Sequence, residues 1–249
     1  MRTPRIDILT LFPDYFQGPF TVSMVKRALA KKAVDIRLHD LRKFTTDKHH
    51  TADDVPYGGG AGMVMKPEPL IKALSTLKRG RKKVKTLLMS PQGKRLDHPM
   101  VLELSREKNL LLVCGHYEGL DERVMKSIDG EVSLGDFVMT GGEPAAAVIV
   151  DSLVRFLPGV VGQRESVEKD SFFNGLLDYP HYTRPRFFKG MPVPEVLLSG
   201  NHARIDRWRK KESLKNTLAK RPDLLERLDL SEEDQKLLME ARKELESGE

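Results

Sequence analysis

Cysteine occurs once, at Cys114, in a chain of 249 residues, which excludes an internal disulfide. It follows the apolar run Leu110 to Val113, so the thiol reads as buried and inert in a reducing compartment rather than as a nucleophile. Long hydrophobic runs are also missing. None approaches the roughly 20 apolar residues that a membrane span requires. The opening residues, MRTPRIDILTLFP, hold no apolar core with a small-residue cleavage site, so no secretory signal is expected and the expected location is cytoplasmic. No Walker loop is present, and GHYEG (115–119) is not the dinucleotide fingerprint GxGxxG. Metal-ligand spacing is absent as well. His49 and His50 stand near Asp53 and Asp54, but nothing pairs them as a zinc site. Gly-x-Ser-x-Gly and Cys–His patterns are lacking too, which disfavours covalent catalysis.

What is present is positive charge, unevenly placed. The net charge is +6 with a sequence pI of about 9.3, a balance suited to a polyanionic partner. Residues 78–85, KRGRKKVK, carry six positive charges in eight positions. Asn201 to Arg221 carries eight basic and two acidic residues, whereas Pro222 to Glu249 carries four basic and ten acidic. Each basic cluster is either a phosphate-following surface or a solvated face.

The first 160 residues have α/β rhythm. Strands are expected at 5–12, 34–41, 84–90, 109–115 and 131–134, helices at 22–32, 67–78, 97–107 and 144–158, and a turn plus helix across 116–128. Asp97 is a fitting N-cap and Pro99 sits in the first turn behind it. Continuous apolar strands alternating with helices indicate a parallel sheet covered on both faces, with ligands beyond the carboxyl ends of the strands. Three loops occupy that position: SPQG (90–93), GHYEG (115–119) and LGDFVMTGGEP (134–144). A glycine-bearing loop that leads from strand to helix either brings bare backbone close to a ligand or merely turns a corner. A long polar stretch from Arg42 to Gly62 ends in four glycines within five residues (58–62), a length more usual in functional or mobile loops. After Pro158 a polar linker is expected through residue 171, its acids being Glu165, Glu168 and Asp170. Residues 172–200 are rich in proline and aromatics, and a charged helical segment follows. Read without further help, the pattern gives an unknotted doubly wound sheet.

PYGGGAGM, SPQG, GHYEGLDERV, LGDFVMTGGEPAA, RFLPGVVG, DSFFNGLLDYPHYTRP and HARIDRWR, in this order and at these distances, closely resemble the bacterial tRNA (guanine-N1)-methyltransferase family, the TrmD type. The resemblance runs from the first strand to the last helices. It implies an α/β SPOUT-type parallel sheet with a deep trefoil knot at 1–160, a linker at 161–171 and a small, mainly helical tRNA-binding domain at 172–249. It also implies a homodimer and methyl transfer from S-adenosylmethionine to N1 of the guanosine at tRNA position 37. A SPOUT enzyme acting on another RNA base would share the donor loops without needing DYPHYTRP or HARIDRWR.

Carried over by matching motif, the methyl-donor pocket would use Met89, Pro91 and Gly93, then Gly115, Tyr117 and Glu118. Leu134, Gly135, Asp136, Phe137, Val138, Met139, Gly141, Gly142 and Pro144 complete it. The family's general base matches Asp170, and its cation for the guanine O6 matches Arg155, whose place at the end of an apolar helix is expected to put it near the pocket. For tRNA the matching positions are Asp53, Asp54, Tyr57, Gly58, Gly59 and Gly60 on one loop. On the other side they are Asp178, His181, Tyr182, Thr183, Arg184, His202, Arg204, Arg207 and Trp208. A dependence on Mg²⁺ with Glu118 as ligand is a weaker implication of the same family.

Overall fold

The structure is a computed structural model and describes residues 3–162 and 167–247, so Glu165 of the expected linker falls outside it. The chain divides into two compact units, Met1–Gly162 and Gln163–Glu249.

Five strands build the main sheet of the first unit: β1 (Arg5–Thr10), β2 (Asp35–Asp40), β3 (Lys85–Arg95), β4 (Asn109–Cys114) and β5 (Gly130–Ser133). They pair in the order β2-β1-β4-β3-β5, and every pairing is parallel. Parallel neighbours need crossovers, and three helices supply most of them: α1 (Ser23–Ala30), α2 (Pro67–Lys78) and α3 (His98–Ser105); a fourth, α4 (Glu143–Val154), follows β5 and packs back on the sheet. Alternation along β4 splits the core. Leu110, Leu112 and Cys114 pack with α1, α3 and α4 on one face, while Leu111 and Val113 pack with Leu70 and Leu74 of α2 on the other. Burial on both faces is why β4 is apolar at every position from Leu110 to Cys114. The N-cap of α3 forms as read: Asp97 accepts from the backbone N–H of Met100 at 2.9 Å.

Two elements differ from expectation. The strand expected to stop at Ser90 runs on to Arg95 through Pro-Gln-Gly, because the ladder breaks at an irregularity after Met89 and resumes at Lys94 opposite Val132. Pro91 sits inside that break, where no ladder N–H is needed. The helix expected across 116–128 is only a 3₁₀ segment at Glu122–Ser127. Its first residues are engaged elsewhere: Glu118 N–H donates to Met63, and Asp121 N–H to Met65.

The second unit is mainly helical, with α5 (His202–Lys220) and α6 (Glu232–Ser247) packed around Leu176, Leu214 and Leu237. Asn201 caps α5 by accepting from Arg204 N–H at 3.1 Å. The basic helix and the acidic one neutralise each other. Arg207 meets Glu240 at 2.9 Å, Lys210 meets Asp234 at 3.3 Å, and Lys211 and Lys215 share Glu244. The charge counted on α5 is therefore only partly available to an external phosphate backbone.

The basic run at 78–85 is also partly tied down. Lys78 donates to Ser127 O at 2.7 Å, and Arg81 reaches the fully buried Asp7 at 2.6 Å. Asp7 accepts as well from Arg5 at 2.7 Å and His39 at 2.6 Å. Burial pushes its pKa up, but the hydrogen bonds from His39, Arg5 and Arg81 outweigh that and hold it at about 2. A carboxylate with a depressed folded pKa contributes stability that is complete above its unfolded pKa and is lost as pH falls toward the folded one. Asp7→Asn, which leaves the buried Arg81 guanidinium without its anion, is expected to cost about 3 kcal/mol at neutral pH. Urea unfolding of both proteins from pH 7 down to pH 2 should show the gap closing as the parent's Asp7 protonates. A gap that stays constant would contradict this origin.

Candidate active site

Three strand ends converge at the carboxyl edge of the sheet and enclose a cleft of about 370 Å³. The first wall is the irregular stretch of β3, Met89 to Gln92. The second follows β4, from Gly115 to Leu120. The third follows β5, from Leu134 to Gly142, and passes directly into α4.

Backbone contacts lock these walls together. Gly142 N–H donates to Gly115 O at 2.8 Å, and His116 pairs with Gly141 as an antiparallel bridge. The fit admits no side chain at the crossings. A Cβ on Gly142 would lie 2.7 Å from the Cβ of Met89 and 2.8 Å from the Cα of Cys114. One on Gly93 would lie 2.4 Å from the carbonyl carbon of Glu131 and from the nitrogen of Val132. Gly135 has φ of +156° and lies against the Phe137 ring. Here glycine is required by close approach of backbone to backbone. Tyr117 takes a left-handed conformation (φ +60°) without being glycine, a strained state that its neighbours must enforce.

The residues expected to hold a methyl donor largely share this cleft. Met89, Pro91, Gly115, Tyr117, Glu118, Leu134, Phe137, Val138, Met139, Gly141 and Gly142 line it. Gly93, Gly135, Asp136 and Pro144 do not. The first two act on wall geometry, Asp136 is exposed, and Pro144 opens α4. Sequence reasoning missed Ser90, Gln92, His116, Glu122, Glu131 and Thr140, which also line it. His116 lay in plain view within GHYEG. Glu122 and Glu131 carried no local signal.

The lining has a distinctive charge. Glu118, Glu122 and Glu131 contribute three carboxylates, and no lysine or arginine lines the cleft among the described residues. Cys114 lies beneath it, 1 % exposed. Burial, together with the negative charge of Glu143, pushes its thiol well above the usual range, so it stays neutral. No group of three metal-ligand side chains occurs among the described residues.

The glycine-rich loop is docked onto the second wall. Asp53–Asp54 pairs antiparallel with Val64–Met65, and Met65 N–H donates to Gly119 O at 2.9 Å. Gly58, Gly59 and Gly60 have open space around them and Tyr57 is fully exposed, whereas Gly62 abuts the Glu118 carboxylate. Arg155 is placed otherwise than expected. It is exposed at the C-cap of α4, while the cleft lies at that helix's N-terminus, so the 12-residue helix separates the two by roughly 18 Å.

In the second unit Asp170 is half-buried; its N–H donates to Val167 O at 3.3 Å. Asp178 Oδ2 meets His181 Nε2 at 2.8 Å. His181, Tyr182, Thr183, Arg184 and Trp208 line a groove of about 560 Å³ together with Tyr179 and Arg209, whose guanidinium lies 5.1 Å over the Tyr179 ring. His202, Arg204 and Arg207 are exposed on α5 outside that lining, with Arg207 paired to Glu240.

A parallel sheet whose glycine crossings shape a ligand cleft at the strand ends defines an α/β protein of the SPOUT type. The family model described as tRNA (Guanine-1)-methyltransferase TrmD matches residues 4–227. A tRNA (guanine-N(1)-)-methyltransferase of Dictyoglomus turgidum is 55% identical over 241 residues, 97% of this chain and 98% of that one. Its counterpart in Dehalococcoides mccartyi is 53% identical over 238 residues, 95% and 96% of the two chains. The crystal structure of tRNA (m1G37) methyltransferase from Aquifex aeolicus superimposes with a TM-score of 0.74 at 41% identity, covering 93% of this chain and 98% of that one. The chain belongs to the tRNA (guanine-N1)-methyltransferase family, and it is a methyltransferase.

Gly142→Ala forces a methyl group between Met89 and the Cys114 backbone and is expected to cost about 2 kcal/mol. Gly18→Ala, with open space around it, should fall within about 0.5 kcal/mol of the parent in the same chemical-denaturation series. Equal losses at the two sites would show that the crossing is not tight.

Proposed function

We propose that this protein transfers a methyl group from S-adenosylmethionine to N1 of the guanosine at position 37 of tRNA. The observation that carries the reading is the charge of the cleft among the described residues: three carboxylates, no lysine or arginine, and apolar and glycine surfaces between them. Such a lining suits a nucleoside that bears a sulfonium and an ammonium group, and it repels the phosphates of a dinucleotide or nucleoside triphosphate. Leu134 and Met139 supply apolar surface for a base, while bare backbone at Gly115, Gly141 and Gly142 offers N–H and C=O groups to its edge. When bound there, S-adenosylmethionine supplies an electrophilic methyl group. The crossings at Gly93 and Gly142 support the knotted threading that the family resemblance implies.

Guanine N1 carries a proton that must leave as the methyl arrives. Asp170 accepts that proton, and Arg155 donates hydrogen bonds to O6, where negative charge develops. Arg155 does not line the cleft of its own chain, which supports a site completed by a second copy of the protein, with Asp170 brought to the cleft of its neighbour. The splayed anticodon loop meets Tyr182, Trp208 and Arg184 in the groove of the second unit, and Tyr57 on the glycine loop, since unpaired RNA bases are held by stacking on aromatic and arginine planes.

Asp170→Asn is expected to lower turnover on tRNA by roughly 10²- to 10⁴-fold while donor affinity stays within about twofold, as read by single-turnover transfer and calorimetry. Parent-like turnover would remove Asp170 from the role of base. With labelled donor and transcripts that differ only at position 37, guanosine should be methylated and adenosine should not. Transfer indifferent to that base favours a SPOUT enzyme of other specificity.

A further inference from the structure

Beneath the cleft lies a buried polar chain that none of the roles above uses. Phe12 N–H donates to Thr10 Oγ1 at 2.8 Å, and Thr10 Oγ1 donates in turn to Glu143 Oε1 at 2.6 Å. Thr10 is fully buried and Glu143 is 4 % exposed. A buried carboxylate with one oxygen satisfied needs a donor for the other. Glu143 Oε2 faces the space above Gly141: the position a Cβ would take there lies 2.3 Å from Oε2 and 2.6 Å from His116 Nδ1. Nδ1 is itself buried and has no hydrogen-bond partner. The unpartnered Nδ1 and the second carboxylate oxygen of Glu143 thus face one gap, within reach of each other through a single bridging water or a small turn of the imidazole. The gap exists because residue 141 is glycine.

The rest of the ring is held firmly. His116 stacks against Phe12 at 4.9 Å and edge-on against Tyr117 at 4.6 Å, and its backbone is bridged to Gly141. The imidazole lines the cleft, and no protein group meets Nε2 among the described residues. When Nδ1 carries the proton, Nε2 holds a lone pair and accepts.

We propose that Glu143, anchored by Thr10, fixes His116 as the Nδ1–H tautomer, so that Nε2 accepts a hydrogen bond from a ribose hydroxyl of the adenosyl ligand. His116 is then a binding residue and Glu143 a positioning residue that acts through it. The assignment rests on the donor-cleft reading given above and extends it to one atom. It gives GHYEG a role for its second residue, and it explains why a carboxylate is buried at the first position of α4, where the helix dipole favours the anion.

Two measurements on the full-length protein test it. Long-range ¹⁵N–¹H correlation spectra above pH 8, with the His116 signals identified by their loss in His116→Asn, should show a protonated Nδ1 and a bare Nε2. Glu143→Gln should turn that pattern into a tautomer mixture. Calorimetry with S-adenosylhomocysteine and its 2′-deoxy and 3′-deoxy analogues should show one analogue bound roughly five- to tenfold more weakly by the parent. His116→Asn should bind S-adenosylhomocysteine with a similar loss and show no further loss with that analogue. A protonated Nε2 in the parent overturns the proposal, and this needs no variant fold. Losses that multiply between variant and analogue overturn it too, and leave donor binding intact. A parent that binds no adenosyl ligand overturns the donor reading itself, while the histidine spectrum still decides the tautomer.

Discussion

Everything at the carboxyl edge of the sheet depends on backbone passing against backbone at Met89, Cys114 and Gly142. The hydrogen bond from Gly142 to Gly115 at 2.8 Å joins the end of β4 to the start of α4, and the Gly93 crossing presses β3 against β5. These approaches leave no volume for a methyl group, so the three walls form one rigid unit rather than three independent loops. That rigidity suits the proposed role of holding a flexible, charged nucleoside in one conformation, because preorganised walls reduce the ordering cost of binding.

Charge is distributed against the overall composition. A chain with net charge +6 places carboxylates, and among the described residues no lysine or arginine, around its cleft. Its basic segments are partly answered from within: Arg81 by Asp7, and much of α5 by α6. Internal pairing of this kind shapes the electrostatic surface more than net charge does. The cations that remain, among them Arg184 beside the aromatic residues of its groove, are the ones the proposed function offers to a polyanion, while the cleft keeps a negative lining that suits the proposed sulfonium.

Much of this was legible in the chain before folding. Period and composition place all five strands and most helices, α2 to the residue, because alternation marks β1 and β2, near-continuous apolar runs mark β3 and β4, and the cap at Asp97 is local. The three glycine loops could be named from their position after strands, though not told from plain turns. What escaped was non-local. The continuation of β3 through Pro-Gln-Gly depends on β5, which is distant in sequence. The neutralisation of α5 depends on a helix that composition alone marked as merely acidic. Glu143 and Thr10 stand 133 positions apart, and neither residue type announces a buried pair. The separation of Arg155 from the cleft follows from the length of α4, yet the apolar character of that helix suggested proximity.

The central claim is that the three walls form one donor site. Hydrogen–deuterium exchange of the full-length protein, with and without saturating S-adenosylhomocysteine, tests it most directly. Peptides covering 88–93, 115–120 and 134–142 should gain protection together, while α6 exchanges unchanged. Protection confined to one wall, or appearing away from all three, would contradict the account.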